Sequence, residues 1–216
     1  MPEVLVVVRV WLPDRPGALG AVASRIGAVR GDVVAIDVLE RGGGRAVDEL
    51  TVALPDEHLV DLLVAEIGQV DGVDVEDVRP QLGGERDRAV SVLAAARAIV
   101  AVDEADDVLR VTSRVVRQVS DADWVAVLDL STQEYVAIAG APNQDAGWLS
   151  VFIAGAQEQG AIDELAFCPL EGSYWLVVAR GHLPLREVER QILDELAALS
   201  VQSLAHARER STARSH

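Results

Sequence analysis

Two interleaved sets of mostly apolar residues run along the first strand-like segment of the chain. Val4, Val6, Val8 and Val10 fall on one face of an extended backbone, and Leu5, Val7, Arg9 and Trp11 fall on the other. A strand that is apolar on both faces needs cover on both, from the rest of the chain, from a second subunit, or from the two together. Past Pro16 the period changes. Leu19, Val22, Ala23, Ile26 and Val29 recur at helical spacing, which predicts a helix from Pro16 to Arg30, stopped by Gly31. Strands are expected from Asp32 to Glu40 and from Ala46 to Leu54, joined by a loop of glycines and arginines from Arg41 to Arg45. Pro55-Asp56 opens a second helix, with Asp56 as its cap, Leu59, Leu62, Leu63, Ile67 and Val70 on one side and Asp71-Gly72 at its end. Val73 to Val78 alternates valine with acid and reads as an edge strand.

The order β-α-β-β-α-β over residues 3 to 80 is that of a ferredoxin-like sandwich, two helices on one face of an antiparallel sheet. Gln81-Leu82-Gly83-Gly84 breaks the pattern and marks a boundary. Glu85 to Val102 is rich in Ala and Val and predicts a connecting helix, with Leu93, Ala96, Ile99 and Val100 close together around its axis. A further α/β unit follows. A helix from about Asp106 to Val119 points Leu109, Val115, Val116 and Val119 inward, and strands are expected at Trp124–Leu130 and Tyr135–Ala139 around the turn Ser131-Thr132-Gln133. Residues Gly140 to Gly147 read as loop, Trp148 to Glu158 as helix, and Glu164–Pro169 with Tyr174–Arg180 as a second hairpin around Glu171-Gly172. Leu185 to Arg208 predicts a long helix buried along Val188, Ile192, Leu196 and Leu199. The expected fold class is therefore α+β. The expected domains are 1–80, a connector 81–103, a second α/β domain with an antiparallel sheet over 104–210, and a frayed tail over 211–216.

The junction Leu12-Pro13-Asp14-Arg15-Pro16-Gly17-Ala18-Leu19 carries the candidate chemistry. Pro16 suits the first helical position, Gly17 permits a close backbone or ligand, and the amides of Gly17, Ala18 and Leu19 are expected free to receive a carboxylate. With Gly31-Asp32-Val33 a dozen residues later, the stretch Asp14-Arg15-Pro16-Gly17-Ala18-Leu19 resembles the ACT domain. That resemblance implies a regulatory sensor of a free amino acid, often dimeric, with ligand between the first strand-to-helix loop, here Leu12 to Leu19, and the start of the second strand, here Asp32, Val33 and Val34. Many members have Asn where this chain has Asp32. Asp accepts hydrogen bonds but cannot donate them, so it suits the ligand's ammonium, leaving the carboxylate for the helix N-terminus. Arg15 could add a charged bond or be solvated, and Asp32 could equally be a strand residue facing water. Helix, two strands, an intervening segment, two strands and a long helix, with the run Gly181-His182-Leu183-Pro184-Leu185-Arg186-Glu187-Val188-Glu189, resemble a GAF domain over residues 104 to 208.

Composition narrows the alternatives. The chain has 19 basic and 35 acidic residues, a net charge of −16, so a partner with a phosphate backbone is disfavoured. The apolar run of the connecting helix is short and carries Arg97, which argues against a membrane span. One cysteine, Cys168, excludes an internal disulfide and reads as a buried apolar residue. With Met1-Pro2-Glu3 lacking a positive lead, a cytoplasmic protein is expected. His58, His182, His206 and His216 are scattered, without metal-ligand spacing. Ser113, Ser120 and Ser150 lack a glycine elbow, and Asp48-Glu49, pointing to opposite faces of a strand, are expected as solvated charges. No cofactor, metal or catalytic residue is assigned. The leading reading is a homodimeric regulatory protein that binds an amino acid, acts on an unknown downstream protein, and associates through its first sheet and the helices around Leu93 and Leu196. A scaffold without a metabolite, and an enzyme with its active site in the second domain, are the alternatives.

Overall fold

The computed structural model of the chain describes residues 4–81, 87–156 and 164–214. The expected boundary residues 82–84, the first residues of the expected connecting helix and the last two of the helix begun at Trp148 lie outside the described residues. The chain packs as two units, Met1–Arg88 and Ala89–His216.

In the first unit β1 (Val4–Pro13), α1 (Ala18–Ala28), β2 (Asp32–Gly42), β3 (Arg45–Leu54), a 3-10 turn (Glu57–Leu59), α2 (Val60–Ile67) and β4 (Asp74–Pro80) follow in the expected order. The sheet order is β2-β3-β1-β4, with every neighbouring pair antiparallel, so β1 and β2 run in the same direction. This is the ferredoxin-like sandwich. Val6, Val8, Val10 and Leu12 close its core against Val22 and Ile26 of α1 and Leu63 and Ile67 of α2. Asp56 caps the second helical segment by accepting from the His58 amide (2.9 Å).

Several boundaries differ from expectation. Both strands of the first hairpin run on to a two-residue turn, Gly43-Gly44, with both φ values positive, so Arg41 and Arg45 lie in strands and not in a loop. At the end of α1 the left-handed residue is Arg30 (φ 63°), and Gly31 follows it. The Gly31 and Arg30 amides donate to the Ile26 and Gly27 carbonyls, closing a Schellman motif. Gly31 is needed for proximity: a Cβ there would lie 2.9 Å from Ile26 Cγ2 and 3.1 Å from Val52 Cγ1. The second helix ends at Ile67, short of Val70, and Leu62 on it is exposed. On the second face of β1, Val7 and Arg9 are buried in the single chain, and Leu5 and Trp11 are half-buried.

The second unit holds α3 (Arg88–Val100, whose first residue belongs to the first unit), α4 (Ala105–Ser120), β5 (Trp124–Asp129), β6 (Glu134–Gly140), α5 (Ala146–Ala156), β7 (Leu165–Pro169), β8 (Tyr174–Ala179) and α6 (Glu187–Arg214). Its antiparallel sheet has the order β6-β5-β8-β7. One sheet face packs on α4, α6 and the Ala95 and Ile99 side of α3, and the other on Leu149 and Ile153 of α5. The phases of two helices depart from expectation. On α3, Leu93 and Val100 are exposed while Ala95 and Ile99 are buried. On α6 the buried side runs through Glu189, Leu193, Leu196, Ala197, Ser200, Leu204 and Ala207, whereas Val188, Ile192 and Leu199 are half-buried. Helix α6 also continues through residues 211–214, where a frayed tail is expected from sequence.

Candidate functional site

The junction between β1 and α1 is a tight turn whose residues Asp14, Arg15, Pro16 and Gly17 are exposed, with Pro13 and Leu19 half-buried and Leu12 and Ala18 buried beneath it. The Arg15 amide donates to the Pro13 carbonyl (2.8 Å) and the Ala18 amide to the Arg15 carbonyl (3.2 Å). Asp14 donates its amide to the Gly44 carbonyl (3.0 Å), which ties the turn to the β2–β3 hairpin. Gly17 is the helix N-cap at φ 88°, with no side-chain cap.

These facts revise the expected geometry in three places. Pro16 precedes the helix by two residues and does not occupy its first position. The Ala18 amide is engaged, so the N–H groups without an acceptor among the described residues are those of Gly17, Leu19 and Gly20. A Cβ on Gly17 would meet nothing within 4 Å, so glycine serves a left-handed backbone there and not a close approach.

Asp32, Val33 and Val34 lie elsewhere. Because β1 and β2 are parallel, the start of β2 sits at the opposite end of the sheet from the end of β1: Asp32 aligns through Ala53 with Leu5, and Arg41 aligns through Ala46 with Leu12. The strand length between Leu5 and Leu12 is roughly 23 Å at about 3.3 Å per residue. Asp32 is exposed, and Val33 and Val34 are half-buried. Within one copy of the chain, the structure does not bring the two halves of the sequence-derived site together.

The pair Asp48-Glu49 departs furthest from expectation. The two side chains do point to opposite faces, but neither is solvated: Asp48 is 3% exposed and Glu49 5%. Glu49 is the centre of an ion network. It accepts from Arg9 Nη2 (2.8 Å), Arg79 Nη2 (2.5 Å) and Arg88 Nη2 (2.5 Å), while Arg79 also reaches Asp77 and Arg88 reaches Asp37. Burial works against the Glu49 charge, and the three guanidiniums outweigh it and hold the carboxyl below its ordinary range. Asp48 faces the helices and lacks such partners; its Oδ1 is buried without a hydrogen bond. The signal for it was present in the sequence, since Asp48 is in phase with Ala46, Leu50, Val52 and Leu54, all of them core residues.

In the second unit, Ser113, Ser120 and Ser150 each donate to the carbonyl four residues back in their own helices. Cys168 is buried, and burial, followed by the neighbouring Asp194 carboxylate, pushes its thiol up. A groove of about 240 Å³ runs between the end of α3 and α6, past Leu199, Ser203 and His206, to Arg210, whose guanidinium pairs with Asp103 (3.1 Å). Among the described residues no three of His, Cys, Asp and Glu are grouped to hold a metal, and no helix is long and apolar enough to cross a membrane.

No family model matches the chain, and no curated protein matches it. Solved structures similar to it include the ACT domain of a GTP pyrophosphokinase from Chlorobium tepidum, at 16% identity and a TM-score of 0.30, over 37% of this chain and 100% of that one. The GAF domain of an Acinetobacter phosphoenolpyruvate-protein phosphotransferase aligns at 19% identity and a TM-score of 0.43, over 56% of this chain and 95% of that one. A putative glycine cleavage system transcriptional repressor aligns at 12% identity and a TM-score of 0.36, over 94% of this chain and 93% of that one.

Proposed function

We propose that the chain is a regulatory protein, not an enzyme, whose first unit binds an amino acid or a related carboxylate at the β1–α1 turn and whose second unit passes the signal to a downstream protein. The observation that carries this reading is the turn itself. It presents the unbonded N–H groups of Gly17, Leu19 and Gly20 at the start of an eleven-residue helix, beside exposed backbone and above the buried Leu12. Donors of that kind, aided by the helix dipole, favour a carboxylate.

The separation of Asp32 from this turn adds a condition. Strand β2 is an edge of the sheet, eleven residues long, with Ile36 exposed on it. If β2 pairs with β2 of a second copy in antiparallel fashion, direction reverses across the join. Asp32 of that copy then arrives at the Arg41–Gly42 end, the same end as the Leu12–Leu19 turn. A homodimer of this form completes the expected site, and a monomer does not. This edge replaces the association through Leu196, which is buried in its own core.

Thermal denaturation of the full chain against the twenty common amino acids tests the reading. A ligand held only by the folded state raises stability by RT ln(1 + [L]/Kd), about 2.7 kcal/mol at one hundred times Kd. One amino acid, or a chemically coherent few, should raise the melting temperature. A panel without any response at millimolar concentration points to the scaffold reading, and turnover of a responding amino acid points to an enzyme.

A further inference from the structure

A carboxylate buried without a partner is costly, and a fold keeps one only where something compensates. Asp48 is such a group. It lies in β3 opposite Val10 of β1 and Val38 of β2, two residues from the Leu12–Ala46 pair at which β1 enters the candidate turn. It is in phase with the core residues Ala46 and Leu50 of β3, so it sits on the face of the sheet that carries the core, with 3% exposure and an unbonded Oδ1. Two charged groups act on it from the surrounding elements. Asp14, from the turn, repels its charge, and Arg41, from β2, attracts it; burial is the largest influence, and the carboxyl is pushed above its ordinary range. A neutral side chain would carry no such cost.

We propose that Asp48 is the ammonium anchor of the site at the β1–α1 turn, the role that the sequence suggests for Asp32. The proposal rests on the reading of that turn as an amino-acid site, and it names a residue of the same copy of the chain. An α-amino acid carries an anion and a cation on adjacent atoms, and this end of the sheet offers a counterpart for each: unbonded N–H groups at the start of α1, and the unbonded Oδ1 of Asp48, two residues along β3 from the strand end that enters the turn. Asp14 adds negative potential at the turn, which opposes an anion near Asp48 and favours a cation. Among the described residues no group of three His, Cys, Asp or Glu side chains forms around Asp48, and its carboxylate with Asp14 matches an organic ammonium better than the several oxygen ligands a metal ion takes. An ammonium has three donors, so Asp48 leaves room for Asp32 of a second copy to accept another.

The test follows the carboxyl carbon of Asp48 by NMR in full-length protein with labelled aspartate, the resonance being assigned by its loss in Asp48→Asn. Methylammonium and glycine are titrated, with tetramethylammonium, which has no N–H, and acetate as controls. A saturable shift with methylammonium and glycine, absent with both controls, is the expected result. Asp48→Asn, with its circular dichroism unchanged, should weaken glycine binding at least tenfold and leave acetate binding as it was. If methylammonium moves Asp48 while no amino acid stabilises the protein, the cation site stands and the amino-acid reading fails. If neither methylammonium nor glycine moves the resonance, or if the substitution weakens glycine and acetate equally, the assignment of Asp48 is overturned.

Discussion

Two left-handed residues frame α1, and they hold that conformation for opposite reasons. Gly17 (φ 88°) has open space where a Cβ would be, so Gly17→Ala meets only backbone strain. A loss of about 1–2 kcal/mol in urea denaturation is expected. Arg30 (φ 63°) already carries that strain, and Arg30→Gly should relieve it, stabilising the protein by up to about 1 kcal/mol in the same assay. Acid titration separates two carboxyls further. Asp129 accepts from Ser173, from the Ser131 hydroxyl and from the Ser131 amide, which lower its pKa to about 2. Its contribution is complete above the ordinary carboxyl value and fades as pH falls from about 4 toward about 2, so Asp129→Asn should flatten acid unfolding in that window. Asp48 has the opposite sign. Its raised pKa means that the folded state holds the proton longer, so stability declines as pH rises through the window above the ordinary value. Asp48→Asn should therefore raise the melting temperature near neutral pH and have little effect below pH of about 4. That both acids at 48 and 49 are buried was legible only by counting phase along β3; the guanidiniums that permit it at Glu49 come from β1, β4 and the start of α3, which no local window joins.

Among elements, the link between β8 and α6 has the most specific chemistry. Arg180 at 1% exposure donates to both oxygens of Glu189 (2.8 and 2.9 Å) and to the carbonyls of Leu183, Ser120 and Pro184. Glu189 also accepts from the Arg186 amide, fixing the first turn of the helix. Truncating one member strands the other in the interior, and Glu189→Ala is expected to cost about 3–5 kcal/mol in denaturant titration. This pair also explains why the phase of α6 is hard to read from sequence. The buried side starts with an acid and continues through Ala197, Ser200 and Ala207, where small residues admit α4 and Ser200 meets Thr112 at 2.8 Å. A search for large apolar residues selects Leu196, which is buried, together with Val188, Ile192 and Leu199, which are only half-buried. Helix α3 misleads for another reason: a run of Ala and Val has little polar contrast, so neither Leu93 nor Ile99 sets the phase. The strands, by contrast, and the presence of the first hairpin though not its two-residue turn, were legible because β-branched alternation depends on nearest neighbours.

At the scale of the molecule, net charge bears on the proposed association. Two copies each at −16 repel, so the proposed dimer should tighten as salt rises from about 0.01 M to about 0.15 M, where the Debye length shortens from about 30 Å to about 8 Å. Sedimentation at both salts measures this. Ile36→Arg, on the exposed edge strand, should leave a folded monomer and abolish dimer formation; an unchanged dimer would move the interface to another face. The order of elements was readable in both units, but the parallel run of β1 and β2 reaches the site only through the sheet, and no spacing in the sequence reveals that Asp32 and Gly17 end up far apart.

That distance has a consequence for dose. A ligand that must touch the end of β1 in one copy and the start of β2 in another binds a pair, so occupancy depends on the square of the free protomer concentration. Diluted below its self-association constant, the chain would respond poorly to any amount of metabolite. If the proposed dimer site holds, its expression level would become a second input, and the protein would report the coincidence of a nutrient with its own abundance.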